Sequence, residues 1–168
     1  MSNESLYFAD DGDIPNHPHW ALIVYSGVFD SKTLDQSETA FDDLFVRNDW
    51  IVGFRNGIYP FVHYHSNAHE ALGVAKGSAT VKFGGEAGRA LLVKAGDALL
   101  LPAGTGHQLI KASADLLIIG AYPPGPGRDL MREGETQGDE IRIRIASVPK
   151  PNTDPIHGHS GPMLSLWK

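Results

Sequence analysis

The chain has 168 residues, a formal net charge of -6, 42% hydrophobic residues and 20% charged residues. This composition is ordinary for one globular domain, and the negative charge argues against nucleic acid, because phosphate binding requires a basic surface. The absence of cysteine excludes disulfides and thiol nucleophiles, so any metal ion must be held by nitrogen and oxygen.

The first residues, Met1 to Ser5, are polar and lack the basic start and apolar run of a signal peptide. The apolar runs elsewhere are too short to span a bilayer. We therefore expect a soluble, cytoplasmic protein without a membrane partner.

An acidic, turn-rich segment from Leu6 to Pro18 precedes the first predicted strand, Trp20 to Ser26. Its aspartate, glycine and proline residues predict a loop or arm. His17 and His19 can be considered as metal ligands, but surface positions on the arm fit them better.

The hydrophobic period changes to that of a helix within residues 33–50. Asp35 followed by Glu38 predicts the capped start of one short helix. Its apolar stripe consists of Phe41, Leu44 and Phe45.

Short apolar runs separated by glycine or aspartate continue from residue 51 onward, which favours an all-β sandwich or barrel. The glycine-rich segment from Gly84 to Gly88 predicts a hairpin turn. It lacks the spacing of a phosphate-binding loop. The predicted strands are Ile51–Arg55, Phe61–His65, Glu70–Lys76, Ala79–Phe83, Ala90–Lys94, Ala98–Leu101, Gln108–Lys111 and Leu116–Ala121.

A loop rich in proline and polar residues follows, over residues 123–140. Asp129 and Arg132 can reach over a barrel mouth, although a solvated loop is the simpler interpretation. Strict alternation of isoleucine and arginine over residues 141–145 then predicts a strand with one buried face and with its arginines facing outward. The alternating residues are Ile141, Arg142, Ile143, Arg144 and Ile145.

Residues 149–168 carry several turn signals and predict an extended tail. His157 and His159 form a His-x-His pair there. No carboxylate or further histidine follows at a suitable distance, so we interpret them as tail residues.

The residues that suggest chemistry lie between Gly57 and His107. His63 and His65 point to one face of a strand, because side chains alternate along it, and Tyr64 points away. Glu70 follows a short turn and can return beside this pair, and His107 can add a fourth ligand from elsewhere in the sheet. Imidazole and carboxylate ligands suit a first-row divalent metal ion.

The spacing of these residues resembles the first motif of the cupin family. That motif is a Gly, five residues, His-x-His, three or four residues, Glu, six residues and Gly. The matching positions are Gly57, His63, His65, Glu70 and Gly77.

A second stretch resembles the other cupin motif, in which Gly, Pro-x-Gly and His are followed by Asn. Gly96, Pro102, Gly104 and His107 match it. Lys111 replaces the closing Asn, which is not a metal ligand in the family.

Further segments resemble the uncharacterised bacterial YjlB-like single-domain cupins over most of the chain. The resemblance implies one domain, 1–168, with the cupin double-stranded β-helix, a jelly-roll barrel. Its parts would be an N-terminal arm and helix (1–49), a barrel core (about 50–121) and a loop, strand and tail (122–168). The similar segments are Asp10–Gly12, Ile14–Asn16, Gly57–Glu70, Leu101–His107, Gly120–Pro123 and Asp154–Pro155.

The resemblance also implies one divalent ion, such as Fe, Mn, Ni or Zn, held by His63, His65, Glu70 and His107. His69 can replace Glu70 in the shorter form of the motif, but it is out of phase with Glu70 along a strand. Burying these four ligands without an ion would leave a costly polar cluster.

A small-molecule metalloenzyme with dioxygenase or other oxygen or carbonyl chemistry is the function that the resemblance implies. A non-catalytic metal-containing binding or sensor protein, and a metal-dependent sugar isomerase-type enzyme, remain alternatives. Tyr59, Gln108 and Tyr122 are candidate substrate-binding residues near the motifs, although a core role suits each equally well. We also expect a homodimer, because exposed strand edges invite pairing.

Overall fold

Two antiparallel sheets lie face to face in a computed structural model, which describes residues 2–37, 39–135 and 138–168. The strands are β1 (Ser2–Leu6), β2 (Leu22–Ser26), β3 (Ile51–Asn56), β4 (His63–Tyr64), β5 (Glu70–Lys76), β6 (Ser78–Phe83), β7 (Arg89–Lys94), β8 (Ala98–Leu101), β9 (His107–Ala112), β10 (Leu117–Tyr122) and β11 (Met131–Arg132). One sheet has the order β1-β2-β8-β5-β10-β3 and the other β11-β4-β9-β6-β7. The predicted jelly-roll fold is confirmed.

The central strand β5 is buried on both faces. Leu72 and Val74 pack between the two sheets, whereas Ala71 and Ala75 face a second core beneath the helices. This explains why the strand reads as a nearly continuous apolar run and does not alternate with polar residues. Glu70 begins the same strand and is its buried charged residue.

Two helices, α1 (Ser31–Gln36) and α2 (Ala40–Arg47), precede β3, so the prediction of one helix starting at Asp35 is wrong. Asp30 caps α1 by accepting a hydrogen bond from the Thr33 amide at 2.8 Å. Thr39 is the N-cap of α2. Glu38, the other half of the predicted cap, lies outside the described residues. The apolar stripe is confirmed, because Phe41, Leu44 and Phe45 are all buried.

The isoleucine-rich segment forms helix α3 (Gly138–Ala146), so the predicted strand is wrong. Ile141 and Ile145 are buried one helical turn apart, whereas Ile143 is 65% exposed. The two arginines reach the surface, as predicted, and each also lies near an acidic side chain. Arg142 pairs with Asp10, and Arg144 lies near Ser66 and Asp129.

The last segment is packed against the barrel and contains a further helix, α4 (Pro162–Leu166), so the predicted extended tail is wrong. Met163 and Trp167 are fully buried in the core beneath the helices. The Trp167 indole donates a hydrogen bond to the carbonyl of Ala21 at 2.9 Å. The C-terminal segment therefore closes one face of the larger sheet.

The N-terminal segment is also ordered against the barrel rather than being a free arm. β1 pairs with β2 along its length, and Ile14 is fully buried. The buried Asn16 amide donates hydrogen bonds to the carbonyls of Ala9 and Gly84. Among the described residues, no helix is long and apolar enough to cross a membrane. The homodimer stays a prediction.

Candidate metal centre

The four predicted ligands lie between the two sheets. β4 pairs with β9 so that His63 is directly opposite His107. His65 follows β4, and Glu70 starts β5 in the other sheet, opposite Leu101. The turn between β4 and β5 therefore carries the chain from one sheet to the other, and it brings the carboxylate back to the histidines.

Three of these side chains converge closely. His65, Glu70 and His107 each offer a ligand atom, and these atoms all lie within 4.8 Å of one another. Glu70 lies between the two rings, with Oε1 at 3.3 Å from His65 Nε2 and Oε2 at 3.2 Å from His107 Nε2. His63 lies beside this group, and its ring centroid is 4.0 Å from that of His107 and 6.2 Å from that of His65.

All three imidazoles are oriented by backbone carbonyl groups. A carbonyl oxygen can only accept a hydrogen bond, so each Nδ1 carries a hydrogen and each Nε2 is the atom left to bind an ion. This is the tautomer that a metal ligand needs. The accepting carbonyls are those of Phe61 for His63 at 3.1 Å, Thr105 for His107 at 3.0 Å, and Asp129 for His65.

The charges in the cluster favour a cation. Burial raises the pKa of the Glu70 carboxyl, but His65 and His107 outweigh it and hold this pKa well below its usual range. Burial lowers the pKa of His65, yet the attraction of Glu70 and the hydrogen bonds to Glu70 and Asp129 raise it overall. Burial, with His107 nearby, lowers the pKa of His63 to about 3. The site therefore combines an ionised carboxylate with a neutral His63.

One carboxylate oxygen provides a direct test of whether an ion fits. Glu70 Oε2 is buried and has no hydrogen-bond partner among the described residues. An unsatisfied buried carboxylate oxygen is costly, and a divalent ion would satisfy it together with the Nε2 lone pairs. The donor set of imidazole nitrogen and carboxylate oxygen matches the first-row divalent ions.

Tyr122 lies beside an irregularity in the pairing of β10 with β3. The register shifts between Gly120 and Ala121, where Gly53 of β3 is the extra residue, and a bulge of this kind re-aims neighbouring side chains. The Tyr122 hydroxyl donates a hydrogen bond to Glu70 Oε1. Burial, together with the negative charge of Glu70, raises the pKa of the Tyr122 phenol. Tyr122 thus holds the carboxylate in place as a neutral donor.

A cavity of about 570 Å³ opens above the cluster, a size suited to a small molecule. Tyr59 and Tyr122 line it together with the four predicted ligands. Gln108 lies elsewhere, in a neighbouring pocket, where its amide donates to the carbonyl of Pro60 at 2.8 Å. Tyr64 points away from the cavity, as strand alternation predicts, and packs in the small core beside α3.

The loop that sequence reasoning treated as solvated forms part of the site. Asp129 accepts hydrogen bonds from the amide and hydroxyl of Ser66, and its own amide donates to Asn67 Oδ1 at 2.9 Å. These contacts hold the Asp129 carbonyl against His65 Nδ1. Arg128, the preceding residue, lines the cavity. No spacing rule in the sequence relates this loop to His65, so only the fold reveals it.

Two further histidines are buried without joining the metal cluster. His69 accepts a hydrogen bond from the amide of Ala103 at 2.9 Å, and its Nε2 faces the carbonyl of Pro149 at 3.2 Å. His17 is only 5% exposed, so its predicted surface position is wrong. Its ring stacks on Trp20, with the centroids 4.4 Å apart. Both histidines are core residues.

Acidification should destabilise the protein through these two buried histidines. Burial lowers the pKa of His17 to about 4 and that of His69 to about 3, both below the ordinary value of 6.5. The unfolded chain therefore binds more protons below pH 6.5, so the free energy of unfolding falls as the pH decreases from 6.5 towards 4. The expected slope is about 1.4 kcal/mol per pH unit for each histidine.

Urea unfolding of chelator-treated protein at several pH values measures this slope. His17→Asn removes one titrating group and should flatten the slope, because the Asn side-chain oxygen can still accept from the amides that His17 Nδ1 engages. His19→Asn, at an exposed neighbouring position, is the matched control. Equal slopes for the wild type and His17→Asn would contradict the prediction.

Comparison with known proteins gives a consistent assignment. The protein-family model described as "Cupin domain" matches residues 55–119 of this chain, which include all four predicted ligands. "Uncharacterized protein YjlB" of Bacillus subtilis (strain 168) is 35% identical over 164 residues, which are 98% of this chain and 96% of that protein.

Solved structures show weaker likeness. A vicilin from Solanum lycopersicum (tomato) is 17% identical, with a TM-score of 0.41, over 74% of this chain and 33% of the vicilin. RmlC from Streptococcus suis, solved in complex with dTDP-D-xylose, is 9% identical, with a TM-score of 0.41, over 76% of this chain and 72% of RmlC. On the near full-length match to YjlB, the chain belongs to the cupin family, among its YjlB-like proteins.

Proposed function

We infer that this cupin is a small-molecule metalloenzyme whose ion is held by His63, His65, Glu70 and His107. The ion would be a first-row divalent metal, with Fe, Mn, Ni and Zn as the candidates. When bound, it would supply a Lewis-acid or redox centre for oxygen or carbonyl chemistry on a small substrate.

The shared orientation of the three imidazoles is the observation that carries this proposal. Each Nδ1 faces a backbone carbonyl, so the three Nε2 atoms are the ring atoms left to bind an ion beside the ionised Glu70. Metal-binding histidines share this arrangement, because an acceptor on the second ring nitrogen fixes the tautomer and orients the ring. His69, which is buried outside the cluster, has the opposite arrangement, since its Nδ1 accepts from the amide of Ala103.

The surrounding residues have distinct roles in this proposal. Tyr122 donates its hydroxyl hydrogen to Glu70 and so limits the rotation of the carboxylate. Tyr59 packs edge-on against His63, with the centroids 5.2 Å apart, and is 53% exposed, so it can contact a ligand entering from solvent. Leu72 and Ile58 supply apolar surface to the cavity, which limits the water around the polar cluster.

Elemental analysis of untagged protein purified without chelators tests the proposal. We expect stoichiometric metal in the wild type, removed by chelation and restored by reloading. Oxygen consumption with a panel of small dicarbonyl compounds and organic acids then tests for turnover. Iron or manganese with substrate-dependent oxygen consumption would support an oxygen-using enzyme.

Other outcomes separate the alternatives. Zinc or nickel without oxygen consumption would redirect the search to isomerase chemistry or to a binding or sensor role. Protein that takes up no first-row metal when reloaded would overturn the proposal. The chelated sample serves as the control, because it carries the same chain and differs only in its metal content.

A further inference from the structure

Arg128 places a positive charge at the cavity beside the candidate metal ligands. It lines the cavity together with His63, His65 and Glu70, and its side chain is exposed to solvent. Its guanidinium carbon lies 4.3 Å from the ring centroid of Tyr122 and 5.9 Å from that of Phe54. The side chain is thus held by aromatic rings rather than extending freely from the loop.

The strand beneath Arg128 is shaped to receive it. Gly53 lies where the pairing of β3 with β10 is irregular. A Cβ atom at this position would lie 3.0 Å from Arg128 Nη1 and 2.7 Å from Tyr122 Cε2. The missing side chain therefore leaves the space in which the guanidinium and the tyrosine ring pack over the backbone of β3.

Carboxylates in the cavity lining are already engaged by other groups. Glu70 lies between His65 and His107, and the Asp129 carboxylate accepts from Ser66 and lies 3.9 Å from Arg144. Stacking occupies the face of a guanidinium but leaves the N–H groups at its edge available. Arg128 can therefore donate to an anionic group of a ligand in the cavity.

The balance of charge points to the same class of ligand. A divalent ion with Glu70 and three neutral imidazoles leaves one net positive charge, and Arg128 adds another. A neutral ligand would leave both charges without a partner, whereas an acid lying between the ion and Arg128 would compensate them.

We propose that Arg128 is the anion-binding residue of this cavity, and that the ligand is a small acid. One oxygen group of the acid would bind at the metal centre, and a second, a carboxylate or a phosphate-like group, would bind Arg128. This inference rests on the proposed metal-dependent function. It adds the substrate class, which the metal ligands alone do not determine.

Calorimetric titration of cobalt-loaded protein with malonate tests the inference. Arg128→Gln should weaken malonate binding by about ten- to a hundredfold, the effect expected for losing charge-assisted hydrogen bonds. The malonate affinity of Arg128→Lys should lie between those of the wild type and Arg128→Gln, because lysine keeps the charge and lacks the planar guanidinium. Malonamide, the neutral analogue, should bind weakly and equally to all variants. Phosphonoacetate distinguishes a preference for a phosphate-like group from one for a carboxylate.

Arg132→Gln is the matched control. It removes the same charge four residues further along the chain, in β11, but Arg132 stacks on Phe61, with 4.1 Å between its guanidinium carbon and the ring centroid, and does not line this cavity. Its effect on malonate affinity should stay within about twofold. Circular dichroism checks that each variant is folded.

The outcomes separate the two proposals. A wild-type chain that takes up no cobalt overturns the proposed function. If the protein loads cobalt fully, three results would overturn the present inference alone. These are an unchanged malonate affinity in Arg128→Gln, a loss of malonate affinity in Arg132→Gln as large as in Arg128→Gln, or no acid that binds more tightly than malonamide.

Discussion

Replacing His65 with alanine should abolish stoichiometric metal binding. The variant loses the imidazole whose Nε2 lies 3.3 Å from Glu70 Oε1. Loss of a partner that merely orients a ligand typically costs about 10- to 100-fold in metal affinity, so removal of a ligand should cost more. Elemental analysis after dialysis against one equivalent of metal measures the effect, and circular dichroism checks that the fold persists.

His159→Ala is the control for this prediction. It belongs to the other His-x-His pair of the chain, with His157, and its side chain is exposed. It should retain the metal content of the wild type. If His65→Ala also retained it, His65 would be removed from the proposed ligand set, and the oriented imidazoles would need another explanation.

Replacing Asp154 with alanine should cause a large loss of stability. Asp154 is fully buried, and its two carboxylate oxygens accept four hydrogen bonds from the protein. Each buried donor left without an acceptor costs about 1 to 3 kcal/mol, so the four donors together imply a loss of about 4 kcal/mol or more. That is a large part of the roughly 5 to 15 kcal/mol by which a domain is stable. The donors are the Tyr25 hydroxyl at 2.7 Å and the amides of Ile156, His157 and Met163.

Urea unfolding measures the loss in Asp154→Ala. Asp154→Asn should be milder, because its amide oxygen still accepts. Asp35→Ala changes an exposed aspartate in α1 and should alter the free energy of unfolding by less than about 0.5 kcal/mol. One hydrogen bond contributes about 1 kcal/mol net to stability. A free energy of unfolding for Asp154→Ala within about 1 kcal/mol of the wild-type value would therefore contradict the role assigned to this carboxylate.

Local rules were sufficient for the strands from β5 to β10 and for the orientation of His63 and His65, but they missed β1 and β11. Predicted strands such as Glu70–Lys76 and Ala98–Leu101 agree with the observed β5 and β8 to the residue. Side-chain alternation, which depends only on the backbone of a strand, placed His63 and His65 at the cavity and Tyr64 away from it. The resemblance to the two cupin motifs then added Glu70 and His107.

The isoleucine segment is the case where local rules were ambiguous. Ile141, Ile143 and Ile145 satisfy a period of two, but Ile141 and Ile145 also satisfy the i, i+4 spacing of a helix. Three apolar residues cannot distinguish these periods. The helix prevails because it buries Ile141 and Ile145 beside Tyr64 and leaves Ile143 in solvent.

The sequence by itself determined an all-β sandwich or barrel and the kind of metal that its donors suit, because strand alternation and donor chemistry are local properties. The resemblance to the cupin motifs added the jelly-roll fold and the set of four ligands. Only the tertiary structure decided which distant segments complete the site. Arg128 and Asp129 meet His65 because the loop after β10 folds back across the cavity, and Asp154 becomes a buried acceptor because the last segment packs on Tyr25. Such contacts depend on the path of the whole chain, and no local pattern encodes them.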